Sequence, residues 1–369
     1  MRTRVIMLVD LDYFFAQCEE RRNPSLKDRP VVVCVYSGRS EDSGAVSTAN
    51  YIARKFGVKS GIPIFLATKK LKEKGAVFLP VDHEFYEEIS ERVMRILRSH
   101  ADYFEQVGID EAYLDVGHKV RGNFEIAEEL AQIMKEEVKA EQGLTCSIGI
   151  GPNKLVAKIA ADVQKPNGLT VVKPGQVESF LSPLPVSRLI GVGRKTEKKM
   201  QAMGIETIGD LARYNVQKLT EVFGKNLGAY FHNASIGMDD EPVQERSEAE
   251  SISRISTLKE DTRDLEVVVE KANHLCEEVY VRLVQRGLSF KSVGIVAVMT
   301  DMSIRSRSKT FESSTNELGV LKRTVRGLFE RLLNESELQV RRAGVKVSNF
   351  VKEQERQKRI TNFIGLTRN

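Results

Sequence analysis

In the first half of the chain, apolar residues gather in short runs that end in acid, amide or glycine. Val5-Ile6-Met7-Leu8-Val9-Asp10-Leu11-Asp12 predicts a buried strand with Asp10 at its carboxyl edge. Phe14 to Arg22 reads as a short helix ended by Asn23-Pro24, and Pro30 to Val35 as a buried strand. Gly44 to Thr48 leads to a helix from Ala49 to Phe56, and Phe85 to Arg98 and Phe124 to Ala140 are helical. Between the last two lies Val107 to Val116, with Asp110 and Glu111 set among β-prone residues. Neighbouring side chains of a flat strand point to opposite faces, so the two acids serve one site only at a turn. A β-hairpin with both at its tip is predicted. Leu144 to Ile150 is a further strand, and Gly149-Ile150-Gly151-Pro152-Asn153-Lys154 leads into a helix from Leu155 to Val163.

In the second half, Leu189-Ile190-Gly191-Val192-Gly193-Arg194-Lys195 opens a helical stretch, and a second follows from Thr207. That pattern predicts a helix-hairpin-helix, whose glycines bring backbone N–H groups to a phosphate beside Arg194 and Lys195. The polar stretch Asp239 to Glu250 suits a linker. Strands at Ser251 to Leu258, Phe290 to Asp301, Ser303 to Phe311 and Val340 to Phe350 then alternate with helices at Leu265 to Arg286 and Glu317 to Leu333, a βαββαβ order. On one face of Ser303 to Phe311, Arg305, Arg307 and Lys309 recur about 6.6–6.8 Å apart. Arg341 or Arg342, with Lys346 and Arg254, would extend this patch, and a basic stripe on an open sheet would hold a DNA backbone regardless of sequence.

Composition narrows the class. At 369 residues, the chain holds two to four domains, and 41% apolar content makes it globular. No apolar run approaches membrane-spanning length and the N-terminus lacks a secretory pattern, so an intracellular, cytoplasmic protein with no membrane partner is expected. Cys18, Cys34, Cys146 and Cys276 are scattered, suggesting neither a zinc site nor a disulfide framework. A net charge of +5 permits a nucleic-acid partner without demanding one.

The acids carry the chemistry. If the first strand lies beside the hairpin, Asp10, Asp110 and Glu111 converge as oxygen ligands of the hard type that suits magnesium. Two such ions about 3.5–4 Å apart would clamp the attacking and leaving oxygens of a phosphoryl displacement. Asp12 stands where helix capping is the better reading. Thr48, Tyr51 and Arg54 share one helix face and suit either a triphosphate or an ordinary polar surface. The backbone N–H groups of Tyr13 and Phe14 lie at a helix start, where phosphate oxygens are favoured. A dinucleotide-binding loop at Gly149 to Gly151 is rejected, since the third glycine is absent.

Four motifs in order, Val9-Asp10-Leu11-Asp12-Tyr13-Phe14-Phe15, Ser47-Thr48-Ala49-Asn50-Tyr51-Ile52-Ala53-Arg54, Ile109-Asp110-Glu111-Ala112-Tyr113-Leu114-Asp115 and Lys165-Pro166-Asn167-Gly168, resemble those of the Y-family translesion DNA polymerases. The similarity is to the DNA polymerase IV type, especially its archaeal members, and runs from residue 5 to about residue 350. It implies an α+β multidomain right-hand polymerase, with palm, small fingers, helical helix-hairpin-helix thumb and βαββαβ little finger. Palm would be residues 1–10 and 81–172, small fingers 11–80, helical thumb 173–239, linker 240–250, and a βαββαβ little finger 251–350, followed by a tail at 351–369.

The resemblance further implies template-directed, low-fidelity synthesis past damaged bases, with two Mg2+ ions, primer-template DNA and deoxynucleoside triphosphates, by a monomer. Leu11 would lend its backbone carbonyl to a metal. Phe15 would pack under the nucleotide sugar and select against a 2′-hydroxyl; Tyr13, Phe14, Thr48, Tyr51, Arg54 and Lys165 would hold the triphosphate. In the tail, Gln357, Ile360, Phe363 and Ile364 resemble the clamp-binding box of replication proteins, which implies a sliding clamp as partner. Gly108 departs from the serine that many relatives carry two residues before the acidic pair, but removes no ligand. Two rivals remain open: an untemplated cyclic-nucleotide synthase on a palm-like fold, and a noncatalytic DNA-bound adaptor recruited to the clamp.

Overall fold

A computed structural model describes residues 4–245 and 250–352. In chain order the elements are β1 (Ile6–Leu11), α1 (Phe14–Arg22), β2 (Val31–Tyr36), β3 (Gly44–Ala49), α2 (Tyr51–Lys55), α3 (Ile64–Lys70), β4 (Val77–Pro80), α4 (His83–Ser99), β5 (Tyr103–Gln106), β6 (Glu111–Asp115), α5 (Phe124–Gln142), β7 (Cys146–Gly151), α6 (Lys154–Val163) and β8 (Leu169–Val171). There follow α7 (Val177–Leu181), α8 (Arg194–Gln201), α9 (Ile208–Arg213), α10 (Val216–Phe223), α11 (Lys225–Ser235), β9 (Ser251–Thr262), α12 (Leu265–Gln285), β10 (Leu288–Met299), β11 (Ile304–Thr315), α13 (Leu318–Asn334) and β12 (Val340–Lys352). They divide into two compact units, residues 1–34, 46–60 and 70–246 in one and 35–45, 61–69 and 247–369 in the other. The predicted fingers segment 11–80 is thus cut between them.

The first unit is built on a five-stranded sheet ordered β5-β6-β1-β7-β8. β1 is its centre and is buried on both sides, which explains its unbroken apolar run. Met7, Val9 and Leu11 join the core beneath α4 and α5, while Ile6 and Leu8 pack against Ala157 and Ala161 of α6. α6 lies unusually close to β7. A Cβ added at Gly149 would run into the Ala157 carbonyl and the Ala161 nitrogen, and one at Gly151 would lie 2.9 Å from the Ala157 nitrogen. These glycines serve close helix-on-strand packing. Asn153 caps α6 by accepting from the Val156 N–H (2.9 Å) and donates to the Gly237 carbonyl (2.7 Å). A separate helical core of Leu181, Val186, Leu189, Met200, Ile208, Leu211, Leu219 and Phe231 holds α7 to α11 together.

The start of the predicted linker is a docked strap. Val243 is 5% exposed and packs with Ile6, Leu8 and Tyr113. Arg4 donates to the Glu241 carbonyl (2.7 Å), Lys154 pairs with Glu241 (3.0 Å), and Arg98 pairs with Glu245. One apolar side chain and a row of acids opposite cations suffice to hold this polar segment, a pattern that composition alone misreads.

The second unit contains the expected βαββαβ order, in an antiparallel sheet β11-β10-β12-β9. Val293, Ile295, Ala297, Val345 and Val347 pack into one core with α12 and α13 side chains such as Leu275, Val279, Val325 and Phe329. Among the described residues, the helix-packed core does not extend to the opposite sheet face, which carries Gly294, Val296 and Val298 of β10. Cys18, Cys34, Cys146 and Cys276 are all fully buried, and burial pushes the thiols of Cys18, Cys146 and Cys276 up to about 12. Among the described residues, no helix is long and apolar enough to cross a membrane.

Candidate active site

The predicted acids meet at one end of the central sheet. β1 and β6 pair antiparallel with Asp10 directly opposite Glu111, and the Leu11 N–H donates to the Asp110 carbonyl (2.9 Å). Asp110 lies in the turn between β5 and β6, while Glu111 is the first residue of β6. The turn is closed by N–H bonds from Val107 (3.0 Å) and Gly108 (3.1 Å) to the Glu111 carbonyl. The buried Ser90 hydroxyl on α4, which no motif marked, donates to the Ile109 carbonyl and holds the turn from below.

Like charges facing each other across a strand pair destabilise it, and two ammonium groups offset them here. Lys158 of α6 lies 2.7 Å from Glu111 Oε1 and 3.5 Å from Asp10 Oδ2. Lys165 lies 2.7 Å from the same Asp10 oxygen and 2.8 Å from Asp162. Burial disfavours charge on Lys165, but Asp10 and Asp162 outweigh it and hold the ammonium above its usual range. Asp110 has no such ion pair among the described residues, and its carboxyl is pushed up to about 6 by burial, then by Asp10 and Glu111. All donors in this group are carboxylate oxygens, the hard set that suits magnesium. Among the described residues, no three acid, histidine or cysteine side chains already form a closed cage, and the lysines supply the cationic charge at these oxygens.

Asp10 and Asp110 line a cleft of about 260 Å³ with Tyr13, Phe14, Phe15, Ser47, Thr48, Tyr51, Arg54, Ser60 and Lys165. Ser60 was not expected there. Thr48, Tyr51 and Arg54 do converge, but by a different route from the predicted single helix. Residues 44–49 are a strand, so Thr48 arrives on β3, while Tyr51 and Arg54 come from the short α2 capped by Asn50. Arg54 is held by the Ala49 carbonyl (2.9 Å) and lies over the Tyr51 ring (4.7 Å). Phe15 stacks on the fully buried Tyr86, with ring centroids 4.4 Å apart and 15° between planes. The Tyr86 hydroxyl is fixed in turn to Glu19 (2.7 Å), so Phe15 presents a supported ring to the cleft.

Asp12 does not cap α1. The cap position is Tyr13, in a left-handed conformation with φ 36°, and Asp12 turns inward instead. It is 1% exposed and accepts from the Thr145 hydroxyl (2.8 Å), the Ser147 hydroxyl (2.7 Å) and the Asn167 N–H (2.8 Å). The carboxylate therefore ties the end of β1 to β7 and to the Lys165 turn. Sequence separations of 133 to 155 residues hide this from any local pattern.

The basic residues assigned to DNA are corrected in part. Arg305, Arg307 and Lys309 share one face, but in register they stand opposite Ala297, Ile295 and Val293, whose side chains enter the helix-covered core. Arg307 pairs with Glu335, and Arg254 pairs with Glu278 of α12 (3.4 Å). Alternation along β11 reveals two faces without saying which one the helices cover. Arg342 and Lys346, opposite Val298 and Gly294, are exposed on the uncovered face. In the helical region, Gly191 adopts φ +85° and Gly193 is the cap of α8, which begins at Arg194 and Lys195. Gln357, Ile360, Phe363 and Ile364 lie outside the described residues.

Comparison with known proteins agrees along the chain. Residues 9–162 match the impB/mucB/samB family, residues 249–360 match the C-terminal domain of that family, and residues 187–239 match a thumb domain described for DNA polymerase-iota. DNA polymerase IV of Nitrosopumilus maritimus is 48% identical over 98% of this chain and 100% of its own length. The Methanosarcina acetivorans enzyme of that name is 46% identical over 95% of this chain and 97% of its own. Among solved structures, a Y-family DNA polymerase chimera of Dbh and Dpo4 superposes with a TM-score of 0.89 at 38% identity, covering 95% of this chain and 100% of its own. An insertion ternary complex of Dbh DNA polymerase gives 0.68 at 37% identity over 95% and 100% of the two chains. The chain thus shares the α+β fold of these enzymes and belongs to the Y family of DNA polymerases, in its DNA polymerase IV branch.

Proposed function

We propose that the chain performs template-directed, low-fidelity DNA synthesis past damaged bases, by nucleotidyl transfer at the cleft between Asp10 and Asp110. The observation that carries this reading is the meeting of those two carboxylates with Tyr51, Arg54, Lys165 and the supported ring of Phe15 in one cleft. Asp10, Asp110, Glu111 and the Leu11 carbonyl would hold two magnesium ions. When bound, such ions lower the pKa of a primer 3′-hydroxyl and neutralise charge on departing pyrophosphate.

The protein's own groups do the rest by positioning and electrostatics. Arg54 and Lys165 offer charge to the triphosphate, with Thr48, Tyr51 and the N–H groups of Tyr13 and Phe14 as further donors. Phe15, stacked on Tyr86, blocks the space a ribose 2′-hydroxyl would need. Asp12 keeps the Lys165 turn in register with Asp10.

For DNA, the Gly191 to Lys195 turn offers backbone N–H groups and two cations to phosphate. The open sheet face offers Arg342 and Lys346 to the DNA backbone. The domain limits of palm, fingers, thumb and little finger, the monomeric state and a clamp contact through the tail belong to the same proposal.

Primer extension on an undamaged template with magnesium and four deoxynucleotides tests the core of it. Wild type is expected to extend and Asp110→Ala to lose extension, and product that appears without a template would instead favour the cyclase-like reading. A folded, DNA-binding wild type that does not extend would return the adaptor. An abasic or oxidised template base then tests damage bypass.

A further inference from the structure

Lys158 has no part in the nucleotide cleft, yet it makes the shortest ion pair with Glu111 among the described residues. Its ammonium bridges Glu111 Oε1 (2.7 Å) and Asp10 Oδ2 (3.5 Å), two carboxylates placed directly opposite each other by the β1–β6 register. All three side chains are largely shielded, at 23%, 21% and 13% exposure. Unlike Lys165, it does not line the cleft and comes from the middle of a helix. That helix cannot slide away easily, because Gly149 and Gly151 let its backbone sit directly on β7. Lys154 and Asp162, one turn either side of Lys158, are engaged as well, with Glu105 (2.9 Å) and Lys165 (2.8 Å). α6 is therefore a charged rail under the sheet, with each charge matched to a fixed partner.

We propose that Lys158 is a resident counterion that holds Asp10 and Glu111 together while no metal is bound, and competes with the divalent cation for their oxygens. This rests on the metal-site reading above. A buried pair of like charges needs a cation, and a tethered ammonium supplies one without being able to complete the coordination shell of a metal. The metal-free site is thereby kept assembled, at the cost of weaker binding of the first ion before substrate arrives. Lys158 is a positioning residue, since it acts through the carboxylates and not on substrate.

The competition is read without turnover. Mn2+ binding to the DNA-free, nucleotide-free protein is followed by electron paramagnetic resonance of the free ion, and thermal unfolding is recorded in EDTA and in Mn2+. Lys158→Met is expected to bind Mn2+ about tenfold more tightly, equivalent to about 1.4 kcal/mol, to melt earlier than wild type in EDTA, and to gain more from Mn2+. Lys158→Arg, which keeps the charge, is expected to stay near wild type. Lys158→Gln gives the same reading where the methionine variant does not fold. Unchanged or weaker Mn2+ binding in a folded, uncharged variant overturns the proposal. Asp10→Asn separates the two ideas: if it leaves Mn2+ binding intact, the metal-site reading itself has failed.

Discussion

Asp110 is the acid whose ionisation the fold resists. Its carboxyl sits at about 6 against an ordinary 3.8, through burial first and then Asp10 and Glu111. A raised folded-state value means that this group favours folding most fully below about pH 4 and that its contribution is lost as pH rises through about 6. Metal-free protein is therefore expected to lose roughly 2–3 kcal/mol between those limits, at the scale of 1.36 kcal/mol per unit. Urea midpoints from pH 4 to 7 would check this, with Asp110→Asn flattening the profile. Gly108→Ser probes the same group. A Cβ there would lie 3.3 Å from Asp110 Oδ1, a tight fit that sets a hydroxyl beside the carboxylate. Donation to the charged form lowers a pKa, so the serine variant should move the profile toward acid. The positions of the acids were legible because each stands where an apolar run stops. The roles of Asp12, Ser90 and Lys158 were not, because their partners are distant in sequence and each residue is locally unremarkable.

The elements were legible wherever periodicity was strong. α4, α5 and α6 and the alternating pattern of the second unit lie close to the expected limits, since each buries an apolar stripe, whereas α1, which buries Gln17, Glu19 and Glu20, was bounded by its Asn23-Pro24 stop. The failures came where a few residues are decided by their neighbours. Gly44 to Ala49 is a strand beside β2, although its small residues suit the start of a helix, and the strap at 239–245 is held by Val243 and ion pairs. The contact of α6 with β7 gives the sharpest prediction at this scale. Gly149→Ala meets backbone atoms on the helix, which cannot rotate aside as a side chain would. A loss of about 1–3 kcal/mol is expected from overpacking. Because α6 carries Lys158, the variant should also alter Mn2+ affinity, whereas Gly327→Ala, mid-helix in α13 with open space around its Cβ, should leave Mn2+ affinity unchanged and raise stability by about 0.5–1 kcal/mol. Equilibrium unfolding and ion binding on the two variants would test the pair.

At the level of the whole chain, alternation in β11 correctly put three cations on one face but could not identify the covered side. That information resides in β10, where both faces are largely apolar and the pattern is weak. If the open face holds DNA, Arg342→Ala and Lys346→Ala should each weaken binding about equally on unrelated sequences and reduce the salt slope by about 1. Arg307→Ala, which removes a cation already paired with Glu335, should do less. Fluorescence anisotropy at several salt concentrations distinguishes these outcomes, and equal effects would reinstate the stripe. The buried cysteines lend the molecule one more property. All four thiols are sealed from solvent, and burial keeps those of Cys18, Cys146 and Cys276 poorly ionised, so an alkylating reagent can reach them only during an opening event. Cys276 belongs to one unit and Cys18, Cys34 and Cys146 to the other. The chain thus carries its own clocks: alkylation rates resolved by mass spectrometry would time the breathing of each unit separately, in one unlabelled sample.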